Sequence, residues 1–221
     1  MKLGKNIPEW LQTEFERKQE QFVNVLNDEQ CAQFSALQSD VVFVQELTAV
    51  FLGSEFFFES SLRHPDRFFA LFFDDGAGRL VDQQPDYASL AQSMAEFLLQ
   101  AQSEDELMHV LRVFRQRQMM RIIWRDITRR AETLATTAAL TVLADVCIQT
   151  AVDFLYQRAC VEWGTPIGAQ SGESQSLLVL GMGKLGAFEL NLSSDIDLIF
   201  AYDESGETQG KPRSTQCVFA N

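Results

Sequence analysis

The chain has 221 residues, 46% of them hydrophobic, and its 31 acidic against 18 basic side chains give a formal charge of −13 at pH 7. The apolar content is enough for one large domain or two small ones, and so acidic a balance weighs against nucleic-acid binding, which normally shows as a basic patch. Lys2 and Lys5 precede no apolar signal core, and no apolar run approaches the roughly 18 residues of a membrane span, so a cytoplasmic setting without membrane contact is expected.

The first 163 residues read as helix after helix. Pro8 suits the first position of a helix from Glu9 to about Leu26, with Trp10, Phe15, Phe22 and Leu26 at helical spacing. Asp40 is a candidate cap for a helix over 41–52, which Gly53 would stop. The stretch 55–73 carries Phe56, Phe57, Phe58, Phe68, Phe69, Phe72 and Phe73, reads as aromatic core, and is broken at His64-Pro65. Asp74 to Gly78 reads as a loop, and 86–101 as a helix. Ser103 and Glu106 form a capping box for a helix reaching about Arg130. A last long helix runs from Thr133 or Thr137 to Glu162 and ends at Gly164, and 165–175 is a linker by composition.

Within that helical part, Arg117, Arg121, Arg125 and Arg129 follow one another at i+4, where like charges repel. Either acidic surface groups pair with them, or Arg121 or Arg125 contacts phosphate or supports a carboxylate site. Trp124 reads as a packing anchor and Asp126 as the partner of an arginine four residues away. Cys31, Cys147, Cys160 and Cys217 lack C-x-x-C spacing and read as free thiols. His64 and His109 are too few for a His-rich zinc site.

The most informative stretch is Gly181-Met182-Gly183-Lys184-Leu185-Gly186, followed by Ser193-Ser194-Asp195-Ile196-Asp197 and the apolar run Leu198-Ile199-Phe200. In a strand, Asp195 and Asp197 would project to one face. Two hard oxygen donors there suit Mg²⁺ or Mn²⁺ held against nucleotide phosphates, with the glycine turn admitting close backbone approach. Backbone amides of Gly181 and Gly183, with Ser193 or Ser194, could hold phosphate oxygens. Lys184 is either a point charge on the nucleotide or a solvated turn residue.

The same glycines also spell G-x-G-x-x-G after an apolar run, with Asp203 and Glu204 near the position of a ribose-binding acid. Against that dinucleotide reading, the connection to the next apolar run is about half the usual length of a parallel crossover. It also leaves Asp195 and Asp197 without a role. Asp203 and Glu204 otherwise read as a solvated loop.

The run LLVLGMGKLGAFELNLSSDIDLIFAY over 177–202 resembles the nucleotidyltransferase motif of the bacterial glutamine synthetase adenylyltransferase and adenylyl-removing enzymes. FRQRQMMRIIWRD over 114–126 looks like the Arg-rich helix that precedes it in that family, so the resemblance covers roughly the second half of the chain. Ala187-Phe188 departs from it, standing where a glycine and a polar or basic residue are expected. The resemblance implies an α+β, predominantly α fold: a helical domain over 1–164, then, over 165–221, a linker and the opening part of an α/β nucleotidyltransferase core of the DNA polymerase β type.

Family members carry two such units, and the Met182 and Asn191 to Asp197 spelling looks like the N-terminal, AMP-removing one. The implied reaction is phosphorolysis of adenylyl-tyrosine on glutamine synthetase to ADP. Asp195 and Asp197 would bind the metal, and Gly181, Gly183, Lys184, Ser193 and Ser194 the nucleotide. The implied cofactor is Mg²⁺ or Mn²⁺, with ADP or ATP and phosphate as substrates or products, and the implied partners are glutamine synthetase and a PII-type signal protein. A third carboxylate, in a stretch of the form V-D-x-R-L-R-P, is absent from the chain, which is therefore expected to be a fragment with little activity alone. A non-catalytic docking fragment and a dinucleotide-binding module remain the alternatives.

Overall fold

The computed structural model describes residues 8–73 and 78–210 and the backbone of Val218–Phe219. The expected loop at 74–78 falls almost wholly outside those residues, as does Cys217. The fold is α+β and predominantly α, with nine α-helices and five short strands among the described residues. Two compact units divide the chain, one formed by 1–86 and 112–139, the other by 87–111 and 140–221. Their division does not follow the sequence boundary at 164, because two long helices each contribute residues to both units.

The first unit contains α1 (Glu9–Val23), α2 (Asp28–Gln38), α3 (Val41–Gly53), α4 (Glu55–Arg63) and α5 (Pro65–Phe69), with a 3₁₀ turn at Leu80–Asp82. Caps set these boundaries. Asp40 accepts the Val42 amide at 2.9 Å, and the Asn27 side chain exchanges bonds with Gln30. Ser54 both ends α3 and caps α4, and the two helices meet there at 105°. His64-Pro65 separates α4 from α5, as the backbone restriction before proline requires.

The core is aromatic. Phe68 lies 4.8 Å from Phe22 and 5.1 Å from Phe72, and Trp124 stands 4.7 Å from Phe72 and 5.7 Å from Phe57, ring centre to ring centre. Trp124 is fully buried, whereas Phe56, Phe73 and Trp10, which the spacing also suggested for the interior, are exposed. Lys18 is buried in this unit, with its ammonium on the Phe51 oxygen at 3.0 Å, on Glu55 at 2.6 Å and over the Phe58 ring.

Trp124 belongs to α7 (Glu104–Ile127), which opens on the expected capping box of Ser103 and Glu106. α8 (Thr133–Trp163) follows after a short turn and ends at Gly164. The partner of Asp126 is Thr136, whose hydroxyl donates to it at 2.9 Å; the expected arginine is not the group it holds. By length and composition α8 could cross a membrane, although Asp145 and several threonines interrupt any continuous apolar run.

The second unit adds α6 (Tyr87–Leu98), β1 (Thr165–Gly168), β2 (Leu178–Gly181), α9 (Gly183–Gly186), β3 (Leu198–Ala201), β4 (Gly206–Gln209) and β5 (Val218–Phe219). They form two antiparallel sheets, β1-β4-β5 and β2-β3. The segment 165–175, a linker by composition, instead begins with β1, which pairs with β4 from Thr165 opposite Gln209 to Gly168 opposite Gly206. Tyr156 on α8 donates its hydroxyl hydrogen to the Gln175 oxygen, and Thr208 donates to the Trp163 oxygen at 2.6 Å. These bonds tie the small sheet to the helix of the same unit.

Candidate nucleotidyl-transfer site

The site is built on the β2–β3 hairpin. Its register runs from Leu178 opposite Ala201 to Gly181 opposite Leu198, and the Met182 amide extends the ladder by donating to the Asp197 oxygen at 2.9 Å. The glycine turn and the carboxylates, separated in sequence, therefore meet at one end of the hairpin. The regular strand begins at Leu198, so Asp195 and Asp197 occupy the approach to β3 rather than the strand itself, as the sequence pattern had suggested. Both are exposed.

Each glycine of the turn has its own physical reason. A Cβ on Gly186 would stand 2.3 Å from the Gly181 oxygen, so the one-turn helix can lie this close to β2 only without a side chain there. A Cβ on Gly181 would collide with buried Leu185. Gly183 has open space around it but a φ of +55°, a region glycine enters without steric cost.

The end of α9 is a Schellman turn. The Glu189 amide bonds the Lys184 oxygen at 2.8 Å and the Phe188 amide the Leu185 oxygen at 3.1 Å. Phe188, which departs from the family pattern, takes the left-handed position of that turn at φ 63°. Lys184 is exposed. Asn191, which sequence reasoning passed over, organises the next turn: its side-chain oxygen accepts the Ser194 hydroxyl at 2.6 Å and the Ser193 amide at 3.3 Å. The Ser194 hydroxyl hydrogen is thus engaged within the loop, leaving that oxygen's lone pairs and the exposed Ser193 hydroxyl for other contacts.

The antiparallel pairing of β2 with β3 overturns the dinucleotide-binding alternative, since that fold joins the strands flanking its glycine turn as parallel neighbours. Glu204, the candidate ribose acid, has a structural occupation. Its carboxylate accepts the Gln170 amide at 2.7 Å and the Ser171 amide at 3.0 Å, and the Ser171 side chain together with these amides holds it below the usual glutamate range.

Arg121 and Arg125 are neither a surface charge row nor phosphate-facing groups. Both are buried in the first unit and donate to its main chain, Arg121 to the Gln83 oxygen at 2.8 Å and Arg125 to the Val81 oxygen at 2.7 Å. Burial, together with the neighbouring Arg125 and Arg117, pulls Arg121 down to about 10. Arg129 remains exposed, at φ 59°.

Among the described residues no cluster of three or more His, Cys, Asp or Glu side chains could hold a metal. Two exposed carboxylates two residues apart in sequence, at the hairpin end that carries the glycine turn, still fit Mg²⁺, which commonly takes one or two carboxylates and completes its shell with water and substrate phosphates. An apolar groove of about 400 Å³ between α8 and the hairpin, lined by Ile148, Val152, Leu198 and Phe200 among others, contains none of these candidate residues.

The model of the family described as glutamate-ammonia ligase adenylyltransferase matches residues 44–219. The chain is also similar to three proteins described as bifunctional glutamine synthetase adenylyltransferase/adenylyl-removing enzymes. Identity is 62% over 111 residues with that of Pseudomonas aeruginosa, covering 50% of this chain and 11% of the relative. It is 49% over 170 residues with that of Pseudomonas putida, covering 77% and 17%. With that of Nitrosococcus oceani it is 44% over 180 residues, covering 79% and 18%. The chain thus spans less than a fifth of the length of these relatives.

Proposed function

The chain belongs to the glutamate-ammonia ligase adenylyltransferase family, and on that premise we propose that its β2–β3 hairpin is the metal and nucleotide face of a nucleotidyl-transfer centre acting on glutamine synthetase. The supporting observation is the Met182–Asp197 bond, which brings the glycine turn and the carboxylate pair to the same end of one hairpin. Asp195 and Asp197 would hold Mg²⁺ or Mn²⁺. That ion, when bound, neutralises charge on the phosphoryl oxygens.

The chain's own residues supply the rest. Main-chain amides at Gly181 and Gly183 offer donors to phosphate oxygens, and Lys184 adds a mobile positive charge beside them. Asn191 keeps Ser193 and Ser194 in a fixed turn next to Asp195.

The reaction we assign is removal of AMP from adenylyl-tyrosine. An oxygen of inorganic phosphate attacks the α-phosphorus, the bond from phosphorus to the tyrosyl oxygen breaks, and that oxygen takes up a proton to give tyrosine and ADP. In-line placement of the two oxygens is the main catalytic demand. A third carboxylate and a PII-type regulator belong to the same proposal, as does a cytoplasmic setting.

The test is phosphate-dependent release of ADP from adenylylated glutamine synthetase, by the chain and by a full-length polypeptide carrying it. Asp195→Asn and Asp197→Asn should each abolish release while the fold is kept, because both side chains are exposed and each substitution keeps their size. Near-normal release by either variant would refute the proposal.

A further inference from the structure

We infer that Thr141, far outside the motif, is the positioning residue for the carboxylate loop. It lies on α8, is fully buried, and its hydroxyl oxygen accepts the Leu190 amide at 3.2 Å across 49 residues of sequence. Both residues belong to the second unit. The inference rests on the proposed metal role of Asp195 and Asp197.

The loop from Leu190 to Asp197 is held at each end by one long-range bond. Thr141 fixes its first residue and Met182 its last. Between them Asn191 knits the turn that carries Ser193, Ser194 and Asp195. Leu190 is itself buried, directly after the Schellman turn that ends α9. Its amide is therefore withdrawn from water and needs an acceptor inside the protein. Valine would match threonine in shape at position 141 and pack equally well, but it has no oxygen to offer. Thr141 touches no reacting atom; it acts through the main chain of Leu190, setting where the loop begins after α9 and hence where the carboxylates stand.

The experiment uses the 221-residue chain, with Mn²⁺ binding followed by electron paramagnetic resonance and amide hydrogen exchange followed from Leu190 to Asp197. Thr141→Val should weaken Mn²⁺ binding by about 10-fold or more, the range seen when a group supporting a metal ligand is lost. It should also speed exchange at Leu190 while leaving amides of β1 and β4 unchanged. Thr141→Ser, which keeps the oxygen, should restore both. Should Thr141→Val not fold, Thr141→Ala is read the same way.

Mn²⁺ affinity in Thr141→Val equal to that of the native chain overturns the positioning role. If instead Asp195→Asn and Asp197→Asn leave Mn²⁺ binding unchanged, the metal reading falls. Exchange at Leu190 to Asp197 then decides on Thr141 alone, and native protection in Thr141→Val overturns it.

Discussion

Arg125 donates one guanidinium nitrogen to the main-chain oxygen of Val81, 2.7 Å away and 44 residues distant in sequence. Its other terminal nitrogen bonds the Gln84 side-chain oxygen at 2.8 Å and the Arg130 oxygen at 3.3 Å. With Arg121 on the Gln83 oxygen, main-chain oxygens within and just after the 3₁₀ turn are met by α7 side chains. Arg125→Met should therefore lower stability by about 1–3 kcal/mol, since it strands the buried Val81 oxygen, while the Gln84 and Arg130 oxygens can turn to water. Arg125→Lys should recover only part of this, because an ammonium cannot reproduce the planar fork. Urea unfolding of the first unit's tryptophan signal measures both.

The glycine turn separates two kinds of constraint. Gly186→Ala would force a methyl group against the Gly181 oxygen at 2.3 Å, so α9 must leave β2. Gly183→Ala meets open space and bears only the left-handed backbone cost of about 1–2 kcal/mol. The first should abolish Mn²⁺-dependent ADP binding and the second should weaken it by about 10-fold or less, as isothermal titration would show. Equal losses would argue against the close packing of α9 on β2.

Phe188 holds the left-handed position of a Schellman turn with a bulky side chain that is half exposed. Phe188→Gly should raise the unfolding midpoint, by a stability gain of about 0.5–1 kcal/mol, once relief of strain is set against the greater freedom of glycine in the unfolded chain. Phe188→Val, β-branched and still strained, should lower it. A Phe188→Gly variant less stable than the native chain would mean that the ring makes contacts worth more than the strain.

Glu204 gives the second unit a local dependence on pH. The Ser171 side chain first, then the Gln170 and Ser171 amides, lower its folded value below the ordinary 4.5, so the unfolded chain binds the proton more readily. The contribution is fully present above the unfolded value and is lost as pH falls through the lower folded one. The Gln170 and Ser171 amide resonances should titrate together with a midpoint below 4.5, and Glu204→Gln should remove that titration. A midpoint at or above 4.5 would show that the carboxylate does not hold this loop.

Local chemistry was legible in the sequence, and distant pairing was not. Asp40, Ser103 with Glu106, His64-Pro65 and Gly164 mark helix ends through residues within a turn of the boundary, and the structure keeps them all. Neither Arg125 nor Thr141 carries such a signal. Their partners are main-chain groups 44 and 49 residues away, and main-chain atoms have no sequence signature. β1 was hidden for a related reason: a Gly, Ser, Gln and Pro composition speaks for a loop, and only β4 makes those residues a strand. The Asp195 to Asp197 spacing was visible, but the bond that seats it on the glycine turn depends on hairpin register.

Leu180 and Ile199 face one another across the β2–β3 ladder, and each is about half exposed, as is Phe200 beside them. A two-stranded hairpin with an apolar surface is a template for other strands, and the charge of −13 on each copy of this chain opposes such pairing. That repulsion reaches about 30 Å at 0.01 M ionic strength and about 3 Å at 1 M. The colloidal behaviour of the chain should consequently be set by salt: monodisperse at low ionic strength, and clustering through the hairpin as the charge is screened.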